Sequence, residues 1–188
     1  MTEPHSATAP LIAFEQVRKA FGAAPPVLDA VSFEVRRGQF VVLAGANGAG
    51  KSTVLNLIVG LLSPDAGRVT VAAEEPTRLR DAALSALRRA IGFVPQDPHL
   101  LADRRLLENV MLPALADGRP RAEAAARALA ALQRVGLVDA AALPEQLSVA
   151  ARRRAVLARA IVNRPAILLV DEPTAFLDAP AAADLLRL

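Results

Sequence analysis

Residues 39–53 read QFVVLAGANGAGKST: an apolar run, a glycine-rich loop and the start of an amphipathic stretch. The loop fits G-x-x-x-x-G-K-[ST] at Gly45, Ala46, Asn47, Gly48, Ala49, Gly50, Lys51, Ser52 and Thr53. That spacing restricts the fold, because the glycines turn successive backbone N–H groups toward one anion only if a strand delivers the loop and a helix N-terminus receives it. The run 39–45 is expected as a fully buried parallel strand. Val54, Leu55, Leu57, Ile58, Leu61 and Leu62 then fall at helical spacing until SPDAG breaks the pattern. Lys19 and Lys51 are the only lysines among 22 basic residues, so a lysine at that loop position is informative. The chemistry expected is triphosphate binding: Lys51 on the β- and γ-phosphates, Ser52 on Mg²⁺, Thr53 near the α-phosphate.

A second acidic element follows the apolar run AILLV (166–170). A parallel strand there delivers Asp171 to the carboxyl edge of the sheet, where it can hold the Mg²⁺ shell and Glu172 can orient or deprotonate a water. Asp-Glu-Pro also suits a turn or a helix cap, and it is the phosphate loop upstream that favours the catalytic reading.

Around these two elements the chain alternates strand and helix patterns. LIAFEQV (11–17) and VLDAVSFEV (27–35) alternate as half-buried strands, GRVTVAA and IGFVP (91–95) read as further strands, and DAALSALRRA reads as a short helix. Helices are expected at about 104–116, 121–135 and 149–163. The result is an α/β fold of P-loop NTPase type, with a mostly parallel sheet core, an antiparallel N-terminal β part and an inserted helical subdomain. The boundaries expected are a disordered 1–10, then one domain over 11–188, of which 11–96 and 164–188 are core and 97–163 the helical insertion.

Composition removes several alternatives. There is no Cys, hence no disulfide framework or thiolate metal site, and His5 and His99 are too isolated for a His-built zinc site. The N-terminus MTEPHSATAP lacks the basic start and apolar segment of a signal peptide, so a cytoplasmic location is expected. A net charge of +3 is weak evidence for nucleic acid, and none is expected as a partner.

These motifs, in this order, resemble the ATP-binding subunits of ABC transporters. GANGAGKST resembles the Walker A loop, VPQD (94–97) the Q-loop, AILLVDEP (166–173) Walker B and TAFLD (174–178) the D-loop, while Phe21 lies where the family stacks adenine on an aromatic ring. The resemblance implies ATP and Mg²⁺ as cofactors. It implies Glu172 and Gln96 as catalytic residues and Ser52, Gln96 and Asp171 toward the metal. It also implies Ser148 reaching nucleotide in trans and Asp178 as a contact in a head-to-tail homodimer or heterodimer. A permease-like integral membrane subunit would be the partner, holding the chain at the inner face of the membrane. The stretches PHLLADRRLLENV (98–110), RVGLVDAA (134–141) and ARAIVNRPAILLVDEPT (158–174) resemble the branch serving bacterial cell division and its relatives in lipoprotein release and macrolide export.

Two departures bear on activity. The family's signature reads LSGGQ or LSGGE, whereas this chain has LSVAA at 147–151, followed by Arg152, Arg153 and Arg154, which are expected to form an exposed basic helix face. The family also places a γ-phosphate histidine some thirty residues beyond the D-loop; with Leu188 as the last residue that strand is missing, and the chain is expected to be a fragment or shortened form whose sheet lacks part of its C-terminal side. Hydrolysis is therefore expected to be weak or absent in a homodimer. A catalytically degenerate regulatory subunit stays open as a second reading. A chromosome-organising or DNA-repair ATPase is disfavoured by the lack of heptads and Cys, and a small P-loop kinase by the helical block.

Overall fold

Two consecutive stretches of the N-terminal strand carry different burial patterns, and the difference organises the first half of the molecule. In β1 (Ile12–Lys19) the residues Ile12, Ala13 and Phe14 are buried one after another, then Glu15 and Gln16 are exposed and Val17 is buried again. Strict alternation cannot produce this; a register shift between Phe14 and Val17 does, with Gln16 at φ 48°. The computed structural model describes residues 9–97, 99–172 and 179. They divide into two compact units, up to Leu87 and from Arg88 onward.

In the first unit β1 is the centre of a three-stranded antiparallel sheet, between β2 (Leu28–Val35) and β3 (Ala66–Val71). Phe14 is registered with Phe33 of β2 and the rings stack with centroids 4.5 Å apart. The bulge is locked from both sides: the Gln16 amide donates to Ser32 Oγ at 2.9 Å, and on β3 Gly67 lies so close that a Cβ would fall on the Gln16 carbonyl. Helix α1 (Lys51–Ile58) follows the glycine-rich loop and packs on β3, burying Val54, Leu55, Leu57 and Ile58.

One expectation is corrected here. Residues 39–45 form no ladder among the described residues, and Phe40 is 90% exposed and Val42 70%. A continuous apolar run is buried as a strand only where neighbours cover both its edges and both its faces, and none of the described strands pairs with it.

Helix α2 (Asp81–Arg89) leads to β4 (Ile91–Val94), which pairs in parallel with β5 (Ile167–Val170), Ile91 opposite Ile167 and Val94 opposite Val170. Between these strands run α3 (Leu106–Ala116), α4 (Arg121–Arg134) and α5 (Val149–Ile161). Their shared core is Leu106, Val110 and Ala114 against Ala124, Ala128, Ala131 and Leu132, with Ala155 and Ala158 of α5. Small side chains at i and i+4 let the three axes approach closely. Asn109, fully buried, holds the preceding loop onto α3: its Oδ1 accepts from the Leu101 amide at 2.7 Å and its Nδ2 donates to the Leu101 and Arg104 carbonyls at 3.0 Å.

Gly67 and Gly118 separate conformational from steric strain. Both are left-handed, φ 80° and 78°, but a Cβ at Gly118 meets nothing within 4 Å. Gly118→Ala is expected to cost about 1–2 kcal/mol, the left-handed penalty alone. Gly67→Ala should cost clearly more, because a β1 or β3 backbone must also move. Urea denaturation of the two variants checks this, and equal costs would mean that the bulge tolerates displacement.

Candidate functional site

The phosphate loop in the first unit has the backbone its sequence requires. Gly48 and Gly50 are left-handed, at φ 81° and 91°, and Gly50 is also pressed against Val27 and Leu28, whose side chains would lie 2.9 Å from an added Cβ. Gly45 sits at the neck, its Cβ position 3.3 Å from that of Ala49, whose amide donates back to the Ala46 carbonyl at 3.2 Å. Asn47 occupies the turn between them. Lys51 begins α1, and its Nζ donates to the Gly45 and Ala46 carbonyls at 3.0 and 2.9 Å, so the loop curls around its ammonium. The amides of Lys51, Ser52 and Thr53 lead the helix and have no intrahelical acceptor. No acidic residue in the first turn neutralises that positive end. Ser52 is exposed and Thr53 nearly buried. A cradle of free amides, an ammonium and a hydroxyl suits a phosphate chain with its divalent cation.

Phe21 is 47% exposed, which rules out the role of an ordinary core aromatic. Lys19 Nζ lies 5.7 Å from its ring centroid and is held by Asp65 at 2.8 Å. Asp65 also accepts from the Ala20 amide at 2.7 Å, and the Lys19 hydrogen bond, then the Ala20 one, keep its carboxyl below the ordinary carboxylate range. The turn before Phe21 is thus pinned while the ring faces solvent.

In the second unit the parallel ladder places the remaining groups. Gln96 follows β4 by two residues and Glu172 follows β5 by two, and with Val94 opposite Val170 the equal offsets bring them to the same sheet edge. Gln96 Nε2 donates to Glu172 Oε2 at 3.0 Å. The Asp171 amide donates to the Val94 carbonyl at 2.9 Å, continuing the ladder by one residue, and its side chain is 8% exposed. Glu172 takes a left-handed backbone, φ 45°. Asp178 lies outside the described residues, as does His5. His99 turns back on its own loop, its Nδ1 2.7 Å from the Asp97 carbonyl. Among the described residues no cluster of three or more His, Cys, Asp or Glu could hold a metal ion.

The signature stretch starts α5. Ser148 is its N-cap, with Oγ accepting from the Ala151 amide at 3.2 Å, and Val149 and Ala150 are its first helical residues. Helical φ is negative, so the position does not need glycine for its backbone angle. What Val149 adds is a branched, 46% exposed side chain at the first position of the helix, where the backbone amides lack intrahelical acceptors. The three arginines do not form one exposed face, contrary to expectation: Arg153 is buried, 3% exposed, and its Nη1 donates to the Glu172 carbonyl at 3.4 Å. Sequence reasoning missed this contact, although Arg153, Val156 and Ala160 share one helical stripe.

A family model described as ABC transporter matches residues 28–175. The cell division ATP-binding protein FtsE of Escherichia coli (strain K12) is 42% identical over 179 residues, spanning 95% of this chain and 81% of that protein. The lipoprotein-releasing system ATP-binding protein LolD of Chromohalobacter salexigens is 44% identical over 164 residues, 86% of this chain and 69% of that one. Among solved structures, the dimeric ATP-binding cassette MJ0796 in a post-hydrolysis state with ADP and Pi superposes with a TM-score of 0.85 at 34% identity, covering 94% of this chain and 80% of its own. CbiO1 from Clostridium perfringens, part of the ABC transporter complex cbiONQ, gives 0.84 at 27% identity, over 95% and 71%. Sharing the motifs, most of the length and the fold of these cassettes, the chain belongs to the ABC transporter ATP-binding family.

Proposed function

We propose that this chain is the ATP-binding subunit of an FtsE-like membrane complex, binding ATP·Mg²⁺ and driving or regulating a permease-like partner of the FtsX type. The observation that carries the reading is the loop curled around Lys51, with left-handed Gly48 and Gly50 and the unpaired amides of α1. The likeness to FtsE over 95% of the chain supports the cell-division branch, and the LolD relatives keep lipoprotein or macrolide-type export as its alternative. No helix among the described residues is long and apolar enough to cross a membrane, which accords with a peripheral subunit at the cytoplasmic face, held there by its partner.

Each residue then has a chemical task. Lys51 exchanges its two carbonyl acceptors for phosphate oxygens, and the amides from Gly48 to Thr53 supply the remaining donors. Phe21 offers a flat face to the adenine. Ser52, Gln96 and Asp171 would offer oxygens to Mg²⁺, which would supply neutralisation of the phosphate charge. Glu172 orients the attacking water and takes its proton, once Gln96 has turned from the carboxylate. Ser148 reaches nucleotide on a second subunit, and Asp178 contacts that subunit, in a head-to-tail homodimer or heterodimer.

The exposed Val149 favours a second reading beside the first, in which the chain binds ATP but hydrolyses it poorly unless paired with a subunit carrying an intact signature. A lost charge-stabilising donor set typically lowers a rate by roughly a hundredfold or more.

Isothermal titration with ATP·Mg²⁺ should show saturable binding that Lys51→Ala weakens at least tenfold; no binding at millimolar nucleotide would end the proposal. Wild-type hydrolysis is expected to be slow, and the double variant Val149→Gly, Ala150→Gly should raise it at least tenfold in an assay of released phosphate, with Glu172→Gln abolishing the gain. Fast wild-type turnover untouched by the glycine pair would show that the signature's Cβ atoms are harmless.

A further inference from the structure

Of the three successive arginines on α5, only the middle one is buried. Successive residues on a helix are rotated by about 100°, so Arg153 shares its face with Val156 and Ala160 rather than with its neighbours. That face meets β4. At Gly92 a Cβ would come 2.5 Å from the Ala160 carbonyl, so helix and strand touch backbone to backbone there. The Arg153 side chain therefore lies under the sheet rather than in solvent. Its Nη1 donates to the Glu172 carbonyl at 3.4 Å, and its Nε, equally buried, has no partner among the described residues.

A guanidinium placed there is costly unless its donors are used, and packing alone is served better by an apolar chain. The acceptor it has found belongs to a residue with strained geometry. Glu172 is a non-glycine residue at φ 45°, a conformation that persists only where the surroundings hold it. Gln96 holds its carboxylate at 3.0 Å and Arg153 holds its carbonyl, so side chain and backbone are clamped from different elements.

We propose that Arg153 is a positioning residue for Glu172: by fixing the Glu172 carbonyl it maintains the left-handed turn that aims the carboxylate, and it ties that turn to the first helical turns after the LSVAA stretch. The hydrolytic consequence rests on the function proposed above; the structural clamp does not. Arg153 touches no reacting atom in this scheme, and its effect runs wholly through Glu172.

The test uses the full chain and Arg153→Met, which keeps the stem and loses every donor, with Arg153→Lys as the conservative rescue. Hydrogen exchange read by mass spectrometry should show the amides of residues 171 and 172 exchanging at least tenfold faster in Arg153→Met, while peptides from α3 and α4 stay within twofold of wild type. In single-turnover hydrolysis with protein in excess, the same variant should lose at least tenfold in rate with its ATP Kd unchanged within twofold, and Arg153→Lys should recover part of both losses. If Arg153→Met does not fold, Arg153→Gln is read in the same way. Exchange at 171 and 172 within twofold of wild type in a folded variant overturns the clamp, as does loss of rate and of ATP affinity together. A chain that binds no ATP at all would sink the functional reading while the exchange measurement still decides on Arg153.

Discussion

The parallel pairing of β4 with β5 determines most of what the second unit can do. Strands that run the same way and are registered residue for residue must release their chains at the same edge, so loops leaving after equal offsets meet. Gln96 and Glu172 meet for that reason, and Asp171 is held at the edge because its own amide continues the ladder. The helical block inserted between the two strands then packs α5 back onto β4, which is how Arg153 comes to lie beneath the acidic turn. A one-residue slip of the ladder would part Gln96 from Glu172 and turn the strand residues to the opposite faces of the sheet.

In the first unit the governing constraint is backbone conformation. Gly48 and Gly50 have left-handed angles that a β-branched residue would resist, and Gly50 lacks room for a Cβ beside Val27 and Leu28. With those angles set, Lys51 has two loop carbonyls in reach and α1 starts with its amides unspent. Both carbonyls occupy the ammonium, so an anion binding there would have to displace them with stronger, charged acceptors.

What could be read from the sequence, and what could not, divides along physical lines. The phosphate loop was legible because its spacing encodes a backbone requirement, and the helices 106–116, 121–134 and 149–161 because apolar periodicity decides them within a residue or two. The Gln96 to Glu172 contact was not legible: the letters put each residue just past an apolar run, but do not say that the two runs pair in parallel and in register. The bulge at Gln16 was not legible: LIAFEQV alternates well enough in letters, and only the approach of Gly67 shows why the register must break. The run 39–45 misled because hydrophobicity specifies that a segment seeks cover without specifying what covers it. Arg153 was hidden by its neighbours, since three arginines in a row look like solvated charge until the rotation of each about the helix axis is counted.

The signature stretch poses the sharper chemical question, because its two substitutions fall where the backbone itself is unremarkable. Val149 and Ala150 are ordinary first-turn residues and Ser148 caps them well, so the helix is as sound as one with glycines and, by propensity, sounder. Glycine in this place therefore cannot be explained by helix stability; it must serve the approach of something to the free amides. An exposed isopropyl group at the first helical position would hold an approaching phosphate oxygen at van der Waals distance from carbon instead of hydrogen-bond distance from nitrogen, and a charged hydrogen bond weakens steeply once stretched so far. The nucleotide cradle proposed above includes neither Val149 nor Ala150. On the function proposed above, the two substitutions would impair the face turned toward nucleotide on another subunit, so the defect would belong to the partner's ATP. Paired with an intact subunit, this chain's own ATP would still be met by a complete signature.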